Sequence, residues 1–454
     1  MKRTARNRRT ATLTLVVAIA APLSSLTGAA PAAAAGPTRR INVSSSEHQA
    51  ADHNGLVERI GRRTVDVSAN GRFVVFVSES RNLVSGDTNG SADIFLRDRT
   101  EGTTRRVSTR ATGGQANDQS TQPAISDDGR WIVFESEATN LVPGVTSSDQ
   151  VYRKNRRTGA IVLVSAQDHT TTTAANFGAD EPTVSDEGAV AFASSATDLL
   201  PGMSPSRDRV YVRDPSTSRT RLACRPTDGY RSADGSQACD TPVISADGRS
   251  VAFTSAARLV PADTNSKGDV YVLRRSTGVV ERVSVGGSDG EVQNNGSCDG
   301  EIPALDRDAS VVAFACSHLG HPIVDGAPGN TQVYVRNRSA GRTYLISRRA
   351  RETNYGATYP SVSAGGRFVA FVTATDLTST PTHGIDQAYV WDRADRSRVL
   401  VSRSTSGHQA DSTCLATVIT GDASDVVFES SATHLVTGDT NGLTDVFVRS
   451  AWRD

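Results

Sequence analysis

Three stretches of the chain set oxygen-bearing side chains at one spacing: Asp87-x-Asn89-x-x-x-Asp93, Asp263-x-Asn265-x-x-x-Asp269 and Asp439-x-Asn441-x-x-x-Asp445. Carboxylate and carboxamide oxygens on alternate residues of a glycine-containing turn can converge on a hard cation, and calcium is the ion such a set suits. Calcium takes roughly six to eight oxygens, so backbone carbonyls and water would have to supply most of them. The position-five ligand and the bidentate glutamate of an EF-hand loop are missing. The competing reading is that these Asp and Asn residues close Asx-turns ahead of a strand. The nine residues are the candidate metal ligands, calcium is the only cofactor they imply, and no catalytic residue is assigned.

Other reactive types are scattered. Among eight histidines only His318-x-x-His321 has a metal-like spacing, and two histidines on a loop read as surface residues. Gly286-Gly287-Ser288-Asp289-Gly290 matches Gly-x-Ser-x-Gly, but no helix follows it, so the strand-turn-helix setting of a nucleophile elbow is absent.

The elements that would position these residues come from a repeat. Short apolar runs centre on Phe76, Phe134, Phe192, Phe253, Phe314, Phe371 and Phe428, recurring at about 60 residues. Most follow a short strand and a tight turn, as in Ala124-Ile125-Ser126-Asp127-Asp128-Gly129, where glycine supplies the positive φ that a hairpin needs. A third strand with an aromatic lies downstream (Asp93-Ile94-Phe95-Leu96, Gln332-Val333-Tyr334-Val335), and a fourth follows a second short turn (Arg105-Arg106-Val107-Ser108). Four antiparallel strands a–d at a fixed period, without helical periodicity, predict an all-β chain forming a single seven-bladed β-propeller. The blades begin near residues 64, 123, 182, 242, 303, 360 and 417.

The last repeat stops after its third strand, while Arg40-Ile41-Asn42-Val43-Ser44 matches the fourth-strand pattern and precedes the first blade. The strand at 40–44 is therefore expected to complete the last blade and close the ring, leaving no free sheet edge. On this strand assignment Cys224 ends strand d of the third blade and Cys239 precedes strand a of the fourth, so a bridge would staple that crossing. Cys298 and Cys316 fall opposite each other across the fifth hairpin, and Cys414 is left unassigned.

Written out, the repeat is P-x-I-S-x-D-G-R-x-V-A-F-x-S, then L-V-x-G-D-T-N-G-x-x-D-V-F-V-R-D, then R-V-S. It resembles the TolB-type, WD-like β-propeller repeat of exported bacterial proteins over nearly all of residues 36–454. That resemblance implies a scaffold fold and no single activity.

Residues 1–35 read as a signal peptide: a basic start, an apolar stretch from Ala11 to Leu26, and small residues up to Ala35. Arg8-Arg9 leaves the general secretory and twin-arginine routes both open. Removing five basic side chains with this segment leaves 44 basic against 49 acidic, which supplies no footprint for nucleic acid. No integral membrane segment is expected after cleavage. The expected product is a monomer in the extracellular space or cell envelope, its long b–c loops and d–a crossings on one face. On that face a protein, peptide or glycan would bind. The alternative is a propeller enzyme, a polysaccharide lyase or hydrolase, which would need acids, bases or histidines converging at the axial mouth.

Overall fold

The computed structural model describes residues 1, 36–52, 63–147, 149–203, 208–225, 238–265, 267–286, 292–293, 296–298, 300–317, 324, 329–348 and 355–453. Residues 2–35 of the expected signal peptide, His53, His318, His321 and Ser288 lie outside them. The chain is all β, with seven four-stranded antiparallel sheets forming the blades. Blade 1 is Val65–Val67, Phe73–Ser78, Asp93–Asp98 and Thr103–Arg106. Blade 2 is Ser120–Ile125, Trp131–Ser136, Gln150–Asn155 and Ile161–Leu163; blade 3 is Ala179–Val184, Val190–Ser194, Arg209–Asp214 and Arg219–Leu222. Blade 4 is Cys239–Ile244, Ser250–Ser255, Asp269–Arg274 and Val279–Arg282; blade 5 is Ala304–Leu305, Val311–Cys316, Gln332–Asn337 and Arg342–Leu345. Blade 6 is Ala357–Val362, Phe368–Thr373, Gln387–Asp392 and Arg398–Leu400. Blade 7 is Cys414–Ile419, Asp425–Ser430 and Asp445–Ser450, with Thr38–Arg40 as its fourth strand.

The repeated Phe of strand b stacks on the aromatic of strand c directly opposite it in every blade, from Phe76–Phe95 at 5.8 Å between centroids to Phe371–Tyr389 at 6.2 Å. Such a pair adds about 0.5–1.5 kcal/mol beyond its buried area. Each of the seven apolar clusters lies between successive blades; Phe73, Leu96, Ile132 and Tyr152, for example, join blades 1 and 2. A sheet of short strands has two apolar faces, and stacking against both neighbours buries them. The predicted turns form as read: Gly129, Gly248 and Gly366 take φ of 68°, 69° and 64°, a region that disfavours side chains with a Cβ.

The N-terminal strand closes the ring. Thr38, Arg39 and Arg40 pair with Arg449, Val448 and Phe447, and the Ile41 amide donates to the Val446 carbonyl at 2.8 Å. Asn42 Oδ1 then accepts from the Val446 amide at 3.0 Å. This strand starts earlier than the 40–44 motif, because Val43 already bends away to bridge Gln49, as Thr109 bridges Gln115 after blade 1.

Strand a of each blade is innermost, and where strand a meets b the blades are tied into a circle by seven hydrogen bonds. Ala69 N–H donates to Asp127 O, Asp186 to Ala246, Asp247 to Arg307, Arg307 to Ala364, Ala364 to Gly421 and Asp422 to Ala69, at 2.9–3.2 Å. At the remaining interface the Asp128 amide donates to Asp186 Oδ1 at 2.9 Å.

Disulfides join Cys224 to Cys239 and Cys298 to Cys316, and Cys414 is buried and unpaired. Disulfides fit an oxidising compartment. Among the described residues no helix is long and apolar enough to cross a membrane.

Candidate functional site at the channel mouth

The three Asp-x-Asn-x-x-x-Asp loops each hold a cation supplied by the chain. In blade 1, Arg106 Nη1 lies 3.2 Å from Asp87 Oδ1 and 2.9 Å from Asp93 Oδ2. In blade 4, Arg282 Nη1 lies 3.4 Å from Asp263 and 3.5 Å from Asp269. In blade 7, Arg40 of the closing strand lies 3.1 Å from Asp439 through Nη2 and 3.1 Å from Asp445 through Nε. Every side chain in these triads is at most 9% exposed. Burial pushes Asp269 up to about 7 although Arg282 pulls it down. The asparagines behave as turn residues: Asn89, Asn265 and Asn441 accept through Oδ1 from the amides of Ser91, Lys267 and Leu443 at 3.4, 3.0 and 3.1 Å.

The other repeats explain the triads. Where strand c opens with Asp93, Asp269 or Asp445, strand d carries Arg106, Arg282 or Arg40. Where it opens with Gln150, Gln332 or Gln387, the matching residue is Leu163, Leu345 or Leu400. A charged lid residue requires a charged partner inside the blade, and a neutral one does not. In both sets a hydroxyl after strand d caps the first residue of strand c: Ser165 donates to Gln150 Oε1 at 2.7 Å, and Ser108 to Asp93.

The groups that converge on the axis are different ones. The seven a strands enclose a channel of about 180 Å³ whose wall mixes apolar residues such as Val67, Ile125 and Ile244 with charged ones such as Asp66, Glu301 and Asp306. At the a–b turn end Arg307 of blade 5 reaches Asp186 of blade 3 at 2.7 Å and Asp127 of blade 2 at 3.4 Å. Burial and Asp186 push Asp127 up to about 6 against the pull of Arg307. With the hydrogen-bonded circle around it, this pair of contacts stands across that end of the channel.

At the opposite end, on the long-loop face, strand a shifts register in blades 2, 3, 4, 6 and 7. Gln122, Glu181, Thr241 and Tyr359 sit at the first four of these shifts at φ of 52–53°. Left-handed backbone at a non-glycine residue costs of order 1–3 kcal/mol and clusters at sites where geometry is used. Each of the four precedes a proline, which has no N–H to lose from the ladder at the bulge.

The blade 3 bulge carries Glu181, while Glu301 precedes strand a of blade 5 and Glu429 and Glu135 lie on strand b of blades 7 and 2. Glu181 accepts from the Thr241 amide at 2.8 Å, and burial together with Asp240 and Asp180 holds it well above the usual carboxylate range. Burial pushes Glu301 up to about 7, with the Tyr359 amide donating to it. Burial does the same to Glu429, whose Oε2 accepts from Thr64 Oγ1 at 2.7 Å. Glu135 accepts from Gln122 Nε2. The cation beside them is Arg63, 3.6 Å from Asp66. Carboxyls drawn out of water and titrating near neutrality can hold a ligand's donor or exchange a proton.

No histidine of the described residues lines this channel, and His169 and His434 pair with Asp168 and Asp411 on the surface. Among the described residues no three His, Cys, Asp or Glu side chains are grouped to hold a metal. Burial pushes the Cys414 thiol up to about 11, away from reactive thiolate. The mouth acids escaped the sequence reading because hairpins, not strand a, anchored the repeat. A signal was present: Gln122-Pro123, Glu181-Pro182, Thr241-Pro242, Ile302-Pro303 and Tyr359-Pro360 recur at the start of strand a.

No family model and no curated protein matches the chain. Solved structures do. An oligogalacturonate lyase of Vibrio parahaemolyticus aligns with a TM-score of 0.53 at 12% identity, over 92% of this chain and 98% of the lyase. The β-propeller domain of the Trilobed protease from Pyrococcus furiosus aligns with a TM-score of 0.50 at 12% identity, over 85% and 92%. What is shared is the propeller fold. TolB proteins also stand among the neighbours of this propeller; TolB from Acinetobacter baumannii aligns at 0.38 and 16% identity, over 68% of the chain and 58% of TolB.

Proposed function

We propose that the protein is an exported binding scaffold that takes a segment of a protein or peptide partner at the channel mouth on its long-loop face. The observation that carries this reading is the shape of the axis: a small channel with a mixed apolar and polar wall, crossed at one end by Arg307 and opening at the other among strained bulges, one of which carries Glu181. At about 180 Å³ it is smaller than the roughly 300–1,000 Å³ clefts that engulf drug-sized ligands. It suits one or two side chains of a partner whose remainder rests on the loops. Polar loops rich in Gly, Ser, Thr and Asn supply an adaptable rim. The leader expected at residues 1–35 and the disulfides support a protein that works outside the cytoplasm.

The test is selection of random displayed peptides on residues 36–454, followed by hydrogen exchange on the best complexes. Protection of the strand a starts around Thr64, Gln122, Glu181 and Tyr359, with affinity lost in Glu181→Gln, supports the reading. Peptides that protect only the outer strands, or no selectable binder, would overturn it.

A second reading, a polysaccharide lyase or hydrolase, draws on the same carboxyls, since Glu301 and Glu429 titrate near neutrality. A neutral or amino-sugar polymer is the substrate to assay, with Glu301→Gln as the inactive control.

A further inference from the structure

The fifth residue of strand c marks one blade as different. In six blades it is large: Arg97, Lys154, Arg213, Arg336, Trp391 and Arg449. Four of these cross to the blade before and donate to carbonyls where its strand d ends. Arg97 reaches Ser44 O at 3.1 Å, Lys154 Val107 O at 2.9 Å, Arg213 Ala166 O at 3.0 Å and Arg449 Ser404 O at 2.9 Å. Trp391 packs on Tyr344 of blade 5, with centroids 5.8 Å apart. In blade 4 the residue is Leu273, which packs in the apolar cluster between blades 3 and 4 but is shorter than its counterparts and has no polar group to donate across to blade 3. The Cys224–Cys239 disulfide joins the two blades instead.

Between these blades lies a cavity of about 490 Å³ lined by Leu200, Leu222 and Leu273 and by Arg221, Arg225 and Arg275, a volume within the roughly 300–1,000 Å³ range of small-molecule clefts. Arg275 donates to the Gly248 carbonyl, and no carboxylate of the described residues forms an ion pair with any of the three arginines. Asp214, whose charge acts on Arg275, is held by the Ser216 amide and hydroxyl at 3.0 and 2.6 Å. Leucine walls under unpaired guanidinium groups fit a ligand with an aliphatic body and one anionic head.

We propose that the space between blades 3 and 4 is a binding site for a medium-chain alkyl carboxylate, separate from the axial mouth. Guanidinium forks match a carboxylate bidentately, and the tail replaces the side chain that the other blades insert.

The probe is octanoate, titrated calorimetrically against residues 36–454, with octanol and acetate as controls for head and tail. Saturable octanoate binding is expected, with neither control binding. Leu273→Trp, which installs the residue of blade 6, abolishes it, and Arg221→Gln with Arg225→Gln weakens it about tenfold or more. Glu301→Gln at the mouth leaves it unchanged, so failure here is distinct from failure of the axial reading. Equal binding of octanol, unaltered octanoate affinity in Leu273→Trp or in the exposed double arginine variant, or absence of saturation would overturn the proposal.

Discussion

Replacing Arg106 by leucine would leave Asp87 and Asp93 buried without their cation, at a cost of about 3–5 kcal/mol. Changing all three residues to their blade 2 counterparts, Asp87→Val, Arg106→Leu and Asp93→Gln, is expected to recover most of that loss, because the Gln–Leu set is already built elsewhere in the ring. Chemical unfolding of the single and triple variants measures both. Because guanidinium groups occupy these carboxylates, melting curves in excess calcium and in EDTA are expected to superimpose; a shift of several degrees would show that the loops take up an external ion. The mouth carboxyls set a pH dependence. Glu429 titrates at about 7 when folded and near 4.5 when unfolded, so between these values only the folded chain keeps the proton. Its contribution is therefore fully present below 4.5 and is lost as pH rises through 7. Glu429→Gln should raise stability at pH 8 by about 1–3 kcal/mol and leave pH 4 nearly unchanged, as read from unfolding midpoints at both.

Strand pairing was legible because it is written seven times. The Phe76-type residues and the Asp-Gly turns mark hairpins by local chemistry alone, and the absence of a fourth strand after Asp445–Ser450 pointed to the N-terminal clasp. The Arg106 partnership was equally available, since Asp and Arg appear and vanish together among the repeats, but it links a loop to a strand one turn further on, beyond the span of a loop motif. The bulged mouth was not legible. A left-handed Glu181 ahead of Pro182 follows from how seven blades crowd around an axis, which no single repeat contains. At this scale the Cys224–Cys239 bridge carries a prediction. Closing a 15-residue separation, it should contribute about 3 kcal/mol, and Cys224→Ser with Cys239→Ser should lower the midpoint accordingly while keeping the blade spectrum.

Taken as a ring, the molecule has a barred end and an open end. Arg307→Ala would remove the cation that crosses the axis and leave Asp127 and Asp186 facing each other, so a rise in the Asp127 pKa above about 6, followed by carboxyl titration, checks the bar. The clasp has a further consequence, for how the protein comes into being. Thr38 and Arg449 meet across a separation of 411 residues, yet loop-closure entropy grows only logarithmically, to about 5 kcal/mol at this length. The obstacle is one of timing. The first strand of the ring to leave the ribosome has no partner until the last one follows. A chain that stops short by a few dozen residues would present an open sheet edge to chaperones and proteases. Closure of the ring thus waits on the seventh blade, and until that blade is made the N-terminal strand stays unpaired.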